Sequence, residues 1–195
     1  MIEDYEPILQ AILFCVVYIG LTPRLAKERS DSGESRLDKI RELIESSQYS
    51  IHDLSRCQAA QAGEHYRLNM PFELGIDYGC KRYLAGCEDK RTLILEEQPY
   101  RYQAAISDLA GWDIQHHDGN IENAVRKVRH WFATNVTLKA IPSPPRILGA
   151  YADFQAWNYE RLLNEGWSQD DILEYPTNEL LAVMQDWMAR GSPAR

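Results

Sequence analysis

The sequence predicts an α/β fold, a mostly parallel sheet flanked by helices, with a helical appendage at the C-terminus. Three observations carry this. Apolar runs of strand length alternate with segments of helical period through roughly the first two thirds of the chain. The run "RTLILEEQ" is continuously apolar at its centre, as suits a strand buried on both faces of a parallel sheet. Beyond residue 150 only helical period remains.

The elements follow in order. In residues 4–19, Ile8, Leu9, Ile12, Leu13, Val16 and Val17 recur at helical spacing; β-branched content favours a strand, but length favours a helix, with Gly20 as its stop. "LTPRLAKE" is a short strand candidate, Pro23 marking an edge or entry, and Arg24 and Glu28 read as a surface pair. "RSDSGESRLDKIRELIESSQ" predicts a helix capped by Asp31 or Ser32, with Leu37, Ile40, Leu43 and Ile44 as its stripe. "YSIHDLS" reads as a strand, and "CQAAQAGEHYRLN" as a long loop of the kind that often carries function. "MPFELGIDYGCKRYL" predicts a helix with Pro71 in its first turn, and Gly75 and Gly79 allow a close approach to a sheet. "RTLILEEQ" is the clearest strand, and "YRYQAAISDLAGWDIQHH" a short helix followed by a short edge strand. "NIENAVRKVRHWFATNV" is an amphipathic helix with Ile121, Val125, Val128 and Trp131 or Phe132 inward. Residues 141–149, "IPSPPRILG", read as a proline-rich linker. Residues 150–195 follow as two helices joined by "WSQDDILEYP", their aromatics used in packing.

Composition excludes several classes. A chain of 195 residues with 45% hydrophobic and 26% charged residues is globular rather than disordered. Its net charge of −8 repels a phosphate backbone, which argues against a nucleic-acid partner. The stretch "AILFCVVYIGL" is too short to span a bilayer and follows acidic residues, so no membrane partner is expected. Cys15, Cys57, Cys80 and Cys87 have no zinc-type spacing and read as reduced, buried thiols of a cytoplasmic protein. The adjacent His116 and His117 make a poor chelate, because neighbouring strand residues point oppositely. No metal is expected, and neither a dinucleotide glycine motif nor a P-loop is present.

In a parallel sheet, ligands bind beyond the carboxyl ends of strands, which puts "HDLSR" and "NMPFELG" at one edge. Asp53 and Arg56 flank Ser55 there. One reading has Arg56 fork onto a phosphate and Asp53 accept from ribose hydroxyls. The other is a turn in which Asp53 bonds local backbone N–H groups. His52 points away from Asp53 and reads as a core histidine. Asn69 reads as the N-cap of its helix. Glu73 sits where the helix dipole favours an ionised carboxylate, which serves simple helix stabilisation and chemistry alike.

The order of "HDLSR", a variable loop, "RLNMPFELGIDYGCKRY", a short strand, "YRYQAAISDLAGWDI" and an amphipathic helix resembles a bacterial group of small TIR-like nucleotide-binding proteins. These are related in fold to nucleoside 2-deoxyribosyltransferases and Toll/interleukin-1 receptor domains. The resemblance implies a flavodoxin-like domain over residues 1–140. It implies a site in which Glu73 is the catalytic carboxylate for cleavage or transfer at the N-glycosidic bond of NAD, a nucleoside or a nucleotide. Asp53, Ser55, Arg56, Asn69 and Met70 would bind the nucleotide, and no cofactor is required beyond NAD or a nucleotide as substrate or ligand. Members of the group begin with a strand ahead of the first helix, whereas the sequence given starts at that helix. Stress or anti-phage defence is the implied setting, a non-catalytic nucleotide sensor or interaction module the alternative, and the C-terminal helices a surface for a second copy.

Overall fold

The computed structural model describes residues 5–28, 31–57, 68–137 and 140–191. Among them are seven α-helices and three strands. In order these are α1 (Glu6–Tyr18), α2 (Arg36–Ser46), β1 (Tyr49–Asp53), α3 (Asn69–Tyr83), β2 (Arg91–Glu96), β3 (Gln115–His116), α4 (Ile121–Asn135), α5 (Pro144–Asn164), α6 (Gln169–Leu173) and α7 (Thr177–Ala189). The class is α/β, as expected. Most of the long loop after β1 lies outside the described residues. The chain forms two compact units, Arg29–Asn123 and a second made of Met1–Glu28 with Ala124–Arg195.

The first unit holds a parallel sheet in the order β1-β2-β3. β2 is central, and its Leu93, Ile94 and Leu95 are buried, as its apolar run requires. Asp53 pairs with Leu95, and Glu96 pairs with His116, so all three carboxyl ends lie side by side. Strand order follows chain order, so these strands contain no reversal and no switch-point crevice of the kind that positions ligands in doubly wound sheets. Two right-handed crossovers stepping in the same direction lie on the same face of a sheet. The first crossover contains α3; the second is built of 3-10 turns at Arg101–Ala104 and Ser107–Leu109. Leu54, Cys57, Leu74, Ile94 and Tyr102 share one core, with Met70, Leu109 and Ile114 packed against it.

Several local expectations are corrected. α3 starts at Asn69, and the residue before it, Leu68, makes no side-chain cap, so Asn69 is not the N-cap. Gly75 and Gly79 do not bring α3 close to anything: a Cβ on either would meet no atom within 4 Å. Leu74, Asp77 and Cys80 form the buried stripe of α3 instead. α2 is capped by Ser35, whose side chain accepts from Asp38 N–H at 3.3 Å, and Leu37 is exposed.

The second unit is helical. Residues 21–28 belong here and form no strand. The Glu28 carboxylate captures the Leu25 N–H at 2.5 Å and the Arg24 guanidinium at 2.8 Å, which closes a turn in place of a ladder. The Arg24–Glu28 pair is the surface pair the spacing suggested. α1 is buried from Ala11 through Val17, which covers every side of the helix and makes it a central element. Phe14 meets Tyr151 at 5.1 Å, Phe154 at 5.5 Å and Trp187 at 6.0 Å between ring centroids. α1 therefore groups with α5 and α7, and the C-terminal aromatics pack a core, as expected of them. The proline-rich stretch is helix from Pro144 onward, because prolines in a first turn lack only N–H groups that no helix uses. No helix among the described residues is long and apolar enough to cross a membrane.

Candidate active site

The sheet carries three sets of ionisable residues: two lie at the carboxyl ends of its strands, and one gathers around Asp77 near the amino ends of β1 and β2. Beyond β1 the chain turns tightly, Cys57 N–H donating to Leu54 O at 2.9 Å, with Ser55 and Arg56 at the corner. Asp53 Oδ1 accepts from the Ser55 N–H at 2.9 Å and from the Ser55 hydroxyl. This is the turn reading of "DLSR". His117, just past β3, places Nε2 3.0 Å from Asp53 Oδ2 and 3.1 Å from Ser55 Oγ. Its Nδ1 accepts from the Gly119 N–H at 3.1 Å, so the proton sits on Nε2 and is donated to Asp53. A nucleophilic triad needs aspartate and serine on opposite ring nitrogens. Here both face the same one, and the other is closed by backbone. All three residues are buried. Burial pushes the Asp53 carboxyl up, but the hydrogen bonds from His117 and from the Ser55 hydroxyl and N–H outweigh it, leaving the group below its ordinary value. Asp53 is thus committed to a clasp between the ends of β1 and β3 rather than offered to a sugar.

Glu73 lies in the second turn of α3, beyond the reach of a first-turn capping role. It is half-buried, and its carboxyl is raised by that burial, against the pull of His52 and Arg36. The expectation that the helix end would hold it ionised is therefore corrected in direction: desolvation outweighs the favourable charges around it. One turn on, Asp77 occupies the same face and is fully enclosed. Ser50 and Thr92 donate to it at 2.5 Å and 2.7 Å, Lys90 Nζ lies at 3.3 Å, and His52 Nε2 at 3.4 Å. Burial raises the Asp77 carboxyl, but the neighbouring His52 imidazole and the hydrogen bonds from Ser50 and Thr92 bring it well below the usual carboxylate range. Glu73 thus stands beside a charged, hydrogen-bonded platform, on the face of β1 opposite Asp53.

A third feature lies at the end of β2. Glu96 follows Ile94 on the α3 face and is 1% exposed, and neither carboxylate oxygen has a hydrogen-bond partner. Burial pushes its carboxyl up to about 7, while the nearby backbone N–H of Tyr102 and the Arg101 charge pull it down without closing a bond. It borders a pocket of about 250 Å³ whose walls include Tyr100, Tyr102, Trp112, Ile114 and His116. Tyr100 adopts a left-handed backbone conformation with φ of 65°, a strained state for a bulky residue of the sort that clusters at functional sites. Trp112 is braced by Tyr78 of α3 at 5.4 Å.

The structure thus separates the residues the sequence grouped. Asp53 and Ser55 are in the clasp, Arg56 is half-buried at its turn, and Asn69 and Met70 begin α3, with Met70 packed on the core. None of them, nor Glu73, lines the Glu96 pocket. The sequence reading missed Glu96, Asp77 and the role of His117. Signals for each were present: Glu96 is two residues from Ile94 in the central strand, Asp77 is four from Glu73, and one of two adjacent strand-end histidines must face inward. Among the described residues, no group of three or more His, Cys, Asp or Glu is placed to hold a metal ion. These features define a class: a small parallel α/β unit with a polar, aromatic-walled pocket at its strand ends. Comparison with known proteins adds no family to that class, since no family model, no curated protein and no solved structure matches the chain.

Proposed function

We propose that the α/β unit is a flavodoxin-like, TIR-like domain that binds a nucleoside, a nucleotide or NAD over the carboxyl ends of β1–β3. The observation that carries this is the pocket at the end of the central strand, walled by aromatic rings and bordered by a carboxylate without a partner. Aromatic walls suit a planar base, and ligand sites favour a few polar groups in an apolar setting. The sequence order from "HDLSR" through the helix after β3 supports the nucleotide class.

A second reading adds chemistry, and one observation favours it. Glu73 is half-buried, is not used as a cap and has a raised carboxyl. A carboxyl group of this kind holds a proton for a leaving base and, once ionised, stabilises the positive charge that develops at the anomeric carbon. The reaction would be hydrolysis or transfer at the N-glycosidic bond, in a bacterial stress or defence setting. The test incubates NAD and a panel of nucleosides and nucleotides with the protein and with Glu73→Gln, and follows free base by chromatography. Release by the parent alone establishes the glycosidase. Thermal stabilisation by a nucleotide without release leaves binding as the function. The absence of both rejects the nucleotide class.

A further inference from the structure

We propose that the pocket bordered by Glu96 is a binding site for a planar ring carrying two adjacent N–H donors on one edge, as in an amidine or an amino-substituted purine. The carboxylate would take both donors at once while the ring packs between Tyr100 and Trp112.

The argument starts from the missing partners. A buried carboxylate with no hydrogen bond to either oxygen is held at a cost in stability. Such a group is explained when a ligand supplies the donors. Once ionised it only accepts, and it accepts two parallel bonds from a planar fork. Asp113 also lines the pocket, so two acidic residues border the occupant. That excludes an anionic group such as a phosphate and favours N–H donors or a positive charge. Tyr100 is 72% exposed and Trp112 partly so, and both lie at the pocket, where their faces stack on a flat ring or a cation. The volume of about 250 Å³ falls below the roughly 300 Å³ at which most ligand pockets begin. It fits one ring, with the remainder of any larger ligand outside.

The groups that act on Glu96 from each neighbouring element are few. Burial raises it most; the Arg101 charge and the Arg101 and Tyr102 N–H groups lower it; Asp53 raises it. Arg101 is shared with Glu97 at 3.6 Å, and His116 lines the pocket from β3. A ligand that donates twice selects the ionised carboxylate. Its affinity is therefore highest above pH 7 and falls as the group takes up a proton.

The amidine form of this ligand stands on the pocket alone. The purine form rests on the nucleotide reading above. The test titrates benzamidine, guanosine and inosine by calorimetry into the protein and into Glu96→Gln, at pH 8 and at pH 6. Benzamidine should bind the parent at pH 8 and weaken about tenfold at pH 6, as expected of a carboxyl with a value near 7. Glu96→Gln should lose binding, because its amide presents donors where the ligand does. Guanosine binding more tightly than inosine, which lacks the exocyclic amine, supports the purine source. Benzamidine binding without either nucleoside supports the site and counts against the nucleotide reading. Nucleosides binding both proteins alike support that reading and overturn this inference. Failure of benzamidine to bind the parent at pH 8 also overturns it, as does equal binding by Glu96→Gln. The variant checks itself for folding: with the buried carboxylate gone, it should melt higher than the parent at pH 8. Trp112→Ala, which removes an accessible wall and leaves the carboxylate in place, should weaken benzamidine severalfold without abolishing its pH dependence.

Discussion

At the scale of single residues, Asp77 shows how burial and pairing combine. It is enclosed between α3 and the sheet and gathers Ser50, Thr92, His52 and Lys90. Lys90 is itself buried and also donates to Ile44 O at 2.6 Å. Removing one partner of a buried pair leaves the other charge uncompensated, which costs about 3–5 kcal/mol. Asp77→Ala should therefore lower the urea midpoint by that equivalent, and Asp77→Asn by less, since its amide oxygen still accepts a hydroxyl. The pH sign follows from the direction of the shift. A carboxyl held below its unfolded value of 3.8 contributes fully at neutral pH, and the contribution is lost as the solution is acidified below that value. The loss of stability from Asp77→Ala should accordingly shrink in acid; an undiminished loss would mean the charge is not what matters. Glu73 was legible as a helical carboxylate facing the strand-end side. For Asp77 and Glu96 the spacing gave the face, four residues from Glu73 and two from Ile94, but not the burial, because charged residue types read as surface and the segments that enclose them are distant in sequence.

At the scale of elements, α3 is the organising piece. One stripe of it carries Glu73, Leu74, Asp77 and Cys80 toward the sheet side, while Gly75 is exposed on the other side. Because nothing lies within 4 Å of a Cβ built there and the helix conformation suits any residue, Gly75→Ala should stabilise the protein by about 0.5–1 kcal/mol. A thermal melt reads this as a rise of a few degrees; a fall would restore the close approach that the glycine spacing suggested. Most helices and strands were legible from period and length, β2 most clearly. Two were not. Residues 21–28 form a turn because one carboxylate, Glu28, intercepts the backbone N–H of Leu25, and periodicity carries no trace of such a bond. α5 begins within the prolines, because their cost depends on their position in the helix rather than on their number.

At the scale of the whole molecule, the grouping of α1 with α5 and α7 was the least legible feature. Local pattern says that α1 is apolar on all sides, but not which distant segment covers it, and Phe14 meets residues more than a hundred positions away. The sheet order was open for the same reason. Its consequence is visible at the pocket: with both crossovers on one face, α3 and the 3-10 turns converge there, and Tyr78 reaches Trp112. The four cysteines carry a further consequence, for kinetics. All are free and buried. Burial pushes Cys15 up to about 12 and Cys80 up to about 11, and it raises Cys57 as well. Alkylation needs an accessible thiolate, so iodoacetamide at pH 8 should leave the native chain unmodified over a time that labels the urea-unfolded chain completely. Prompt labelling of any one of them in native buffer would contradict its burial. Cys15 belongs to the helical unit and the other three to the α/β unit. Mass spectrometry of the labelled peptides would therefore time the opening of each unit separately, with reporters the chain already carries.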